Sequence, residues 1–556
     1  DRASSRPVAA RLRAAALAEP RLRYLRLPTP ADEATAVNAG LRHSTGGTVL
    51  LLHHDVEPAA DCLPRLLAGL APDAENSDGS MVVLGVQPLL LHPDDSVECA
   101  GVVLPRADGL PLPFLAGHPP EDALRTTDRA FPAVSATALL MRAGDLVELR
   151  GLDASLGELA GADLCLRAAR LRPGRFLVEP AARAWHHDDH PAADPDTVAE
   201  HRRRFLERWR GALPATGPQR WGELGFEVRA STAGDGSAQA LPALVVRRPA
   251  VPGPLRWGLV LASPGGPEGD RWGDTHFGAS LARALRAGGQ EVVTYRHGAH
   301  DRGTASLDDV VLGIRGLDPV RPVPGAVSVL WVISHPDDVD PAELQDFDLV
   351  FAASAPWARE MGDRSGRPVG VLQQATDVSL RADLRRPVGT GDVPVFVGTT
   401  HGGRPRRIVA DALATGVRFR AFGPWRGRIP DELVGGGYVP NERLGSLYRE
   451  HGLVLADHHA DMARHGFVAN RLYDAVASGA RVVTDPVAGL EVFEGAVQPY
   501  HDRAELAFLC SPQGRARFPD EDTMAAIADR VALVHSFDAR ARVLLEAVLD
   551  VRRERG

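Results

Sequence analysis

The stretch 466-GFVANRLYDAVASGARVVTDP-486 decides the fold of the C-terminal half, because it reads as a short helix followed by a buried strand. The same alternation of strands and helices runs upstream to residue 256, with a break near residue 388. Such alternation predicts an α/β fold whose ligands bind at the carboxyl ends of the strands. We therefore expect two Rossmann-like lobes, 256–388 and 389–535, with a cleft between them and a C-terminal helix over 536–556.

Composition places the chain among soluble globular proteins of several domains. Its 556 residues exceed what one hydrophobic core holds, and 44% are hydrophobic and 24% charged. The net charge of -9 gives no sign of the basic surface by which proteins bind nucleic acid. No lysine occurs, so all 63 basic residues are arginines, which suit bidentate phosphate contacts. This bias suggests a GC-rich bacterial genome. The four scattered cysteines form no CxxC pair and fit a reducing cytoplasm.

The N-terminal half, 1–212, also alternates helix and strand and is predicted to be a separate α/β domain. Helices are expected over RPVAARLRAAALAE and ADEATAVNAGLRHS, and strands over RLRYLRL, TVLLLHHDVEP and SMVVLGVQPLLL. Residues 213–255 are rich in Pro, Gly and Ser in patches. We interpret them as a linker between the two halves.

The segment ASPGGPEGDRWGDTHFGASLARAL follows the first strand of the C-terminal half and contains a glycine-rich loop before a helix. Free amides and the helix dipole favour an anion there, so Gly266 is a candidate donor contact. His276 is a candidate general base on a sugar hydroxyl, with Asp274 as a neighbour that raises its basicity. The alternatives are a plain strand–helix turn and a histidine that caps the helix.

A second loop, FVGTTHGGRPRRIVADAL, carries Arg404, Arg406 and Arg407 at the start of a helix. Guanidinium groups beside free amides suit a diphosphate. The alternative is a solvated basic turn.

GFVANRLYDAVASGA, with YVPNERLGSLYREHGLVLADH before it, resembles the C-terminal lobe of the GT-B glycosyltransferases called group 1. The resemblance spans about 255–535. It implies that Asn470 and Arg471 meet phosphate or sugar and that Asp474 takes the place of the acid that binds ribose. Asp474 replaces the more usual Glu. The first acid of the family's E-x7-E pattern is absent, with His465 and Gly466 there instead. No metal is expected in this half, because arginines and a helix dipole neutralise the leaving diphosphate.

The N-terminal half resembles the family 2 GT-A glycosyltransferases through TVLLLHHDVEP, AVSATALLMRAGDLVELRGLD and ADLCLRAARLRPGRFLVEPAARAWHH. In that family a strand ends in an acid-x-acid motif that binds a divalent cation. This strand ends in His53-His54-Asp55, so only Asp55 matches. His186 is a plausible second ligand, and the pair would suit Mn2+ or Mg2+. The alternative for each is a polar surface loop.

The catalytic acid pair of that family is missing here, because Ala160-Gly161 stands where the acids are expected. Alanine cannot accept a proton, so the family mechanism cannot run unchanged. Glu158 is a candidate replacement base, and the retained Asp163 is expected to be structural. The chain also begins after the place where the family has its first strand and nucleotide-binding loop. We therefore expect this half to be an impaired or non-catalytic domain.

The expected activity is transfer of a sugar from a nucleotide-sugar donor to a saccharide, glycan or lipid-linked acceptor, in cell-surface or secreted polysaccharide synthesis. The C-terminal half is the expected active site. The alternative is a non-catalytic carbohydrate-binding or assembly scaffold in which both domains have decayed. No apolar run reaches the roughly 18 residues needed to span a bilayer. The expected location is the cytoplasm, and peripheral association at the inner face of the plasma membrane is the alternative.

Overall fold

The structure, a computed structural model, describes residues 1–27, 29, 31–71, 82–104, 109–187, 194–213, 216–229, 244–247, 253–400 and 405–555. The chain divides into two compact units. The first comprises Asp1–Pro252, Pro264–Pro267 and Gly298–Leu307, and the second comprises Gly253–Ser263, Glu268–His297 and Asp308–Gly556.

The N-terminal segment of the chain contains eight helices and eleven strands within the described residues. The helices are α1 (Arg6–Ala18), α2 (Glu33–Leu41), α3 (Cys62–Leu70), α4 (Pro120–Leu124), α5 (Ala143–Glu148), α6 (Ala160–Leu171), α7 (Pro195–Trp209) and α8 (Gly217–Glu223). The strands are β1 (Thr48–Leu52), β2 (Val56–Pro58), β3 (Val82–Leu91), β4 (Val97–Cys99), β5 (Val102–Val103), β6 (Leu112–Pro113), β7 (Ala130–Phe131), β8 (Ala138–Arg142), β9 (Gly174–His186), β10 (Phe226–Arg229) and β11 (Leu244–Arg247).

The first unit is built on a mixed seven-stranded sheet. Five strands run in the order β1-β8-β3-β9-β2, with β4 paired to β3 and β7 paired to β9. The central pair β3–β9 is parallel, whereas β1–β8 and β2–β9 are antiparallel. Strand β3 is buried over most of its length, as expected for a strand with both neighbours in place. Strands β1 and β2 lie at opposite ends of this five-strand order, and residues 53–55 connect them along the chain.

Two strands expected in the N-terminal half differ in the structure, and part of the expected linker is buried. Residues 21–27 form no strand, because their backbone hydrogen bonds go to Glu19 and Asp1 rather than to a neighbouring strand. The expected single strand over 48–58 is two strands, β1 and β2, with a turn between them. The expected linker is partly ordered, because Trp221 and Phe226 are buried in the core of the first unit.

The C-terminal segment contains ten helices and twelve strands within the described residues. The helices are α9 (Gly266–Gly269), α10 (Gly273–Ala287), α11 (Ala355–Ser365), α12 (Arg407–Ala414), α13 (Asn441–His451), α14 (Ala460–His465), α15 (Asn470–Ala477), α16 (Arg503–Leu509), α17 (Glu521–Val534) and α18 (Phe537–Arg555). The strands are β12 (Arg256–Leu261), β13 (Glu291–Tyr295), β14 (Val310–Arg315), β15 (Val327–Val332), β16 (Leu349–Ala352), β17 (Gly370–Val371), β18 (Val395–Val397), β19 (Arg420–Phe422), β20 (Val434–Gly436), β21 (Leu453–Leu455), β22 (Arg481–Thr484) and β23 (Val497–Pro499).

The second unit has two lobes, each with a six-stranded parallel sheet. The first lobe has the order β13-β12-β14-β15-β16-β17, and the second has β20-β19-β18-β21-β22-β23. In each sheet, strands are added first on one side of the first strand and then on the other. The change of side falls between β12 and β14 in the first lobe and between β18 and β21 in the second lobe. Ligands bind at such switch points, outside the carboxyl ends of the strands.

The C-terminal segment forms two helices, α17 and α18, and α18 lies within the helix predicted over 536–556. Helix α17 packs against the second lobe, where Ile527 is in the core, whereas Leu544 of α18 is in the core of the first lobe. The break at His535–Ser536 exists because this segment bonds to Thr376 on both sides. Within the described residues, every helix is too short or too polar to cross a bilayer.

Candidate functional site

Three side chains that could hold a cation meet in the first unit, at the ends of β1, β2 and β9. His186 Nε2 lies 3.2 Å from Asp55 Oδ1, and His53 Nδ1 contacts the same oxygen. Val56 pairs with His186 across β2 and β9, and the amide of His187 donates to the carbonyl of Asp55 over 3.0 Å. Strand pairing therefore brings the two sequence-predicted ligands, Asp55 and His186, together and adds His53.

Two further carboxylates face the outer nitrogens of these histidines. His186 Nδ1 lies 2.9 Å from Glu98 Oε2, and His53 Nε2 lies 3.8 Å from Glu33 Oε2. Burial opposes ionisation of Asp55, but contact with His53 and the charge of His186 outweigh it and lower the pKa of Asp55. The mixed nitrogen and oxygen donors fit a divalent cation such as Mn2+. Neither His53 nor Glu98 was predicted as part of the site, although His53 precedes Asp55 by two residues.

Glu158 and Asp163 have different roles in the first unit. Glu158 lies in a 3-10 turn, Ala154–Leu159, and its Oε2 lies 2.9 Å from His201 Nδ1 of α7. Glu158 is not part of the His53–Asp55–His186 group. Asp163 is fully buried and accepts hydrogen bonds from Arg167, from Arg208 and from the indole of Trp209. Asp163 therefore joins α6 to α7, as a structural residue does.

Gly161, in the place of the missing acid pair, packs closely against a neighbouring loop. A Cβ at this position would lie 2.8 Å from Ala136 Cβ and 3.1 Å from Ala136 N. Ala160 beside it is buried. An acidic side chain at 161 would therefore require the loop to move. The position of the acid pair thus lacks the acids and is also filled by packing against Ala136.

Gly266, the candidate contact for the nucleotide sugar, belongs to a segment of the first unit. Its amide already has a hydrogen-bond partner in that unit. Its N–H donates to Asp95 Oδ1 over 2.9 Å, and the indole of Trp185 donates to the same oxygen over 2.6 Å. Gly266 has a positive φ of 76°, which favours glycine. The conformation and the amide are thus accounted for without a phosphate.

His276 lies in the first turn of α10 and reaches the other lobe. Its Nε2 is 3.2 Å from the hydroxyl of Tyr438, in the loop before α13. Burial lowers the pKa of His276, with Glu442 and Asp270 opposing that effect. The imidazole is therefore held in the neutral form that a general base needs at neutral pH.

Asp274, the proposed neighbour of His276, has a buried side chain near the end of β14. Residues two apart on a helix point in different directions, and Asp274 instead faces Gly316 at the end of β14, where a Cβ would lie 3.1 Å from its Oδ2. Burial raises the pKa of Asp274, and the charge of His335 opposes the rise. The effect of Asp274 on the basicity of His276 stays a prediction.

The arginines at the start of α12 differ in what they contact. Arg406 Nη2 donates to the carbonyl of Asp457 over 3.0 Å and lies 2.7 Å from its Oδ1. Arg407 is well exposed and lies 3.7 Å from Asp411, one turn along the helix. Arg404 is outside the described residues. Of the two arginines that the structure describes here, Arg406 is already in an ion pair and Arg407 projects into solvent.

Asn470 and Asp474 meet on the first turns of α15. Asn470 Nδ2 donates to Asp474 Oδ2 over 2.9 Å, and Thr376 Oγ1 donates to Asp474 Oδ1 over 2.8 Å. Burial raises the pKa of Asp474 to about 7, although both hydrogen bonds oppose the rise. Asn470 Oδ1 is buried and has no hydrogen-bond partner among the described residues. An acceptor is therefore available at this helix start.

Arg471 projects from α15 toward the end of β18. Its Nη2 would lie 3.2 Å from a Cβ on Gly398, and its guanidinium lies over the ring of Phe396, 5.6 Å from the centroid. A larger residue at 398 would crowd the guanidinium. The structure thus places a cation and a helix start together at the carboxyl edge of the second-lobe sheet.

Two polar clusters at this edge were missed by sequence reasoning. Asp337 of the first lobe accepts from Arg464 over 2.9 Å and lies 2.9 Å from His465 Nε2, so the histidine in the place of the family's acid bridges the lobes. In the second lobe, His458 Nδ1 lies 2.7 Å from Asp485 Oδ1, and both side chains are buried. The only sequence signal is that His458 and Asp485 each follow a buried strand.

Family models match both ends of the chain. Residues 1–103 match the family described as glycosyl transferase family 2, and residues 404–546 match a family described as glycosyl transferase-like. Together with the parallel sheets of the second unit, these matches confirm the fold class, a GT-A-like domain followed by a two-lobed GT-B module. Both matches support assignment of the chain as a glycosyltransferase.

Solved structures of other proteins are similar at low identity. AviGT4, a glycosyltransferase involved in avilamycin A biosynthesis, is 21% identical with a TM-score of 0.40, over 54% of this chain and 98% of its own. Sucrose-phosphate synthase from Thermosynechococcus elongatus is 14% identical with a TM-score of 0.38, over 54% and 100%. GalNAc-T7 with UDP, GalNAc and Mn2+ is 14% identical with a TM-score of 0.28, over 40% and 46%. Among curated proteins, no relative of the chain is found.

Proposed function

We propose that the second unit transfers a sugar from a nucleotide-sugar donor to a saccharide or glycan acceptor, in the synthesis of a cell-surface or secreted polysaccharide. The observation that carries this proposal is the position of Arg471. Arg471 is on the first turn of α15, and its guanidinium lies beside Gly398 at the end of β18. A cation, free helix amides and the carboxyl edge of a parallel sheet together suit a nucleotide diphosphate.

The neighbouring side chains supply the other roles that transfer needs. Asn470 Oδ1 is a buried oxygen that would accept a hydrogen bond from a hydroxyl of the nucleotide sugar. Asp474, to which Thr376 already donates, is the candidate that binds the ribose. His276, whose pKa burial lowers, would accept the proton of the attacking hydroxyl, and Tyr438 would orient its ring. Arg471 and the α15 dipole would stabilise the leaving diphosphate without a metal.

We propose that the first unit is an impaired transferase domain that holds acceptor rather than performing chemistry. Closure of the acid-pair position by Gly161 against Ala136 supports this, as does the pairing of Glu158 with His201. A divalent cation held by Asp55, His186 and His53 would neutralise a bound phosphate group there. The acceptor would be a glycan, free or lipid-linked, at the inner face of the plasma membrane.

The test is binding and turnover by the full chain with a panel of nucleotide sugars and nucleoside diphosphates, with and without Mn2+. We expect one nucleotide to raise the melting temperature without metal, Arg471→Ala to abolish that rise, and the exposed Arg418→Ala to leave it unchanged. His276→Ala should keep the rise and lose turnover. A chain that responds to no nucleotide would instead be a carbohydrate-binding or assembly scaffold.

An Mn2+-dependent transfer that survives both Arg471→Ala and Asp474→Ala would locate the chemistry in the first unit and contradict the proposal. Membrane association is tested separately, by flotation of the chain with vesicles that contain a lipid-linked saccharide.

A further inference from the structure

We infer that His53 is a third metal ligand in the first unit and that the site His53–Asp55–His186 selects a transition-metal cation over Mg2+. The inference concerns cation binding alone, so it stands or falls independently of the transfer proposed for the second unit. His53 takes the place of the first acid of an acid-x-acid motif, and this exchange of oxygen for nitrogen determines which cation the site prefers.

The three ligand atoms converge on one point. Asp55 Oδ1 is contacted by His53 Nδ1 and lies 3.2 Å from His186 Nε2, and one donor atom from each residue lies within 4.8 Å of the others. The two imidazole rings are nearly perpendicular, with centroids 5.6 Å apart. The side chains are 12–13% exposed, so a cation can enter from solvent but is partly desolvated when bound.

Carboxylates behind both rings orient the inner nitrogens as ligands. A neutral His186 that donates its Nδ1–H to Glu98, over 2.9 Å, presents the lone pair of Nε2 toward Asp55. Glu33 lies behind His53 in the same way, 3.8 Å from Nε2. Metal-binding histidines usually have such a carboxylate on the far nitrogen, which fixes the tautomer and makes the imidazole more basic.

The backbone holds the three residues in place before any cation binds. The amide of His53 donates to the carbonyl of Thr137 over 2.9 Å, at the start of β8. Val56, next to Asp55, is opposite His186 in the β2–β9 pair. Because each ligand lies within one residue of a strand end, the site does not depend on a long loop.

The donor set decides the selectivity. Mg2+ prefers oxygen ligands in octahedral geometry and dehydrates reluctantly, so two imidazoles are a poor match for it. Imidazole suits Zn2+, Fe2+ and Co2+, and two histidines with one carboxylate suit such cations well, with Mn2+ also accommodated. The site should therefore bind Co2+, Zn2+ and Mn2+ and discriminate against Mg2+.

The experiment titrates the full chain, freed of metal by chelation, with Co2+, Mn2+, Zn2+ and Mg2+ separately. Binding is followed by calorimetry and, for Co2+, by its visible absorption, which reports nitrogen ligands directly. We expect one equivalent of Co2+ to bind and Mg2+ to bind at least about 100-fold more weakly. His53→Ala should weaken Co2+ binding by about 100-fold or more, and Glu98→Gln by about 10- to 100-fold.

The matched control is His187→Ala, which removes a neighbouring histidine that pairs with Glu57 outside the group. It should leave the affinity and the spectrum unchanged. His53→Asp should regain part of the affinity and move the preference toward Mg2+, and it keeps the test valid if circular dichroism shows that the alanine variant is unfolded. Equal affinity for Mg2+ and Mn2+, a Co2+ spectrum unaffected by either His53 substitution, or no binding by the unaltered chain would each overturn the inference.

Discussion

Thr376 donates a hydrogen bond of 2.8 Å to Asp474, which joins the segment after β17 to helix α15. The backbone of Thr376 also pairs with His535 and Phe537, between α17 and α18. The two places where the chain crosses between the lobes therefore meet at one residue. Asp474 fixes that meeting point to the candidate donor helix, so its ionisation affects both the fold and the site.

Asp474→Asn should change how stability depends on pH. Burial raises the pKa of Asp474 from 3.8 to about 7, so the folded chain holds a proton that the unfolded chain has released between these values. The stabilisation from this group is complete below pH 4 and is lost as pH rises toward 7. Over that window the wild type should lose up to about 1.4 kcal/mol per pH unit relative to the variant.

The measurement is urea unfolding of the second-unit transition at pH 5, 6, 7 and 8 for both proteins. A constant difference between the two proteins would show that Asp474 is ionised throughout. Asp529, exposed on α17 and bonded to Arg381, provides the control, and Asp529→Asn should give a difference that changes little across the same range.

His276→Ala should reduce transfer by about 100- to 10,000-fold while nucleotide binding persists, if His276 accepts the proton of the attacking hydroxyl. Because burial lowers the pKa of His276, the neutral base remains available below pH 6.5. The acid limb of the pH profile of kcat/KM should therefore have its midpoint below 6.5. An acid limb at or above 6.5, or one retained by the alanine variant, would assign it to another group.

Gly161→Ala should destabilise the first unit by about 1–3 kcal/mol, because the new Cβ would lie 2.8 Å from Ala136. Gly144 is also the second residue of its helix, and a Cβ there meets nothing within 4 Å. Gly144→Ala should therefore be neutral or stabilising by up to about 1 kcal/mol. Equal effects of the two substitutions on urea midpoints would contradict the argument that packing closes the acid-pair position.

Asp163→Ala should destabilise the first unit by about 3–5 kcal/mol, because it leaves Arg167 and Arg208 without a carboxylate they share. Glu200 also bonds two arginines, Arg203 and Arg204, but on an exposed face where water screens the pairs. Glu200→Ala should barely change the thermal midpoint. Calorimetry of the two variants checks this, and a small effect of Asp163→Ala would mean that Asp163 does not join α6 to α7.

Local pattern was sufficient for most elements of the fold. The alternation of strands and helices across both lobes, the helix at 470 and the strand that follows it were predicted, because alternating apolar residues and glycines determine them within a few positions. Where prediction was wrong, partners distant in sequence decided the structure. Residues 21–27 bond to Glu19 and Asp1 instead of joining a sheet, and helix α17 ends at Val534, where the next residue, His535, bonds to Thr376.

The candidate sites divide in the same way. The sequence alone determined which residue types stand at strand ends and helix starts, including Asp55, His186, His276 and Arg471. Only the tertiary structure decided what each side chain faces. It placed Asp274 beside Gly316, paired Arg406 with Asp457, and brought His53 to Asp55 and His186. Element type depends on near neighbours in the chain, whereas side-chain partners depend on sheet register and on which helix packs across the strand ends.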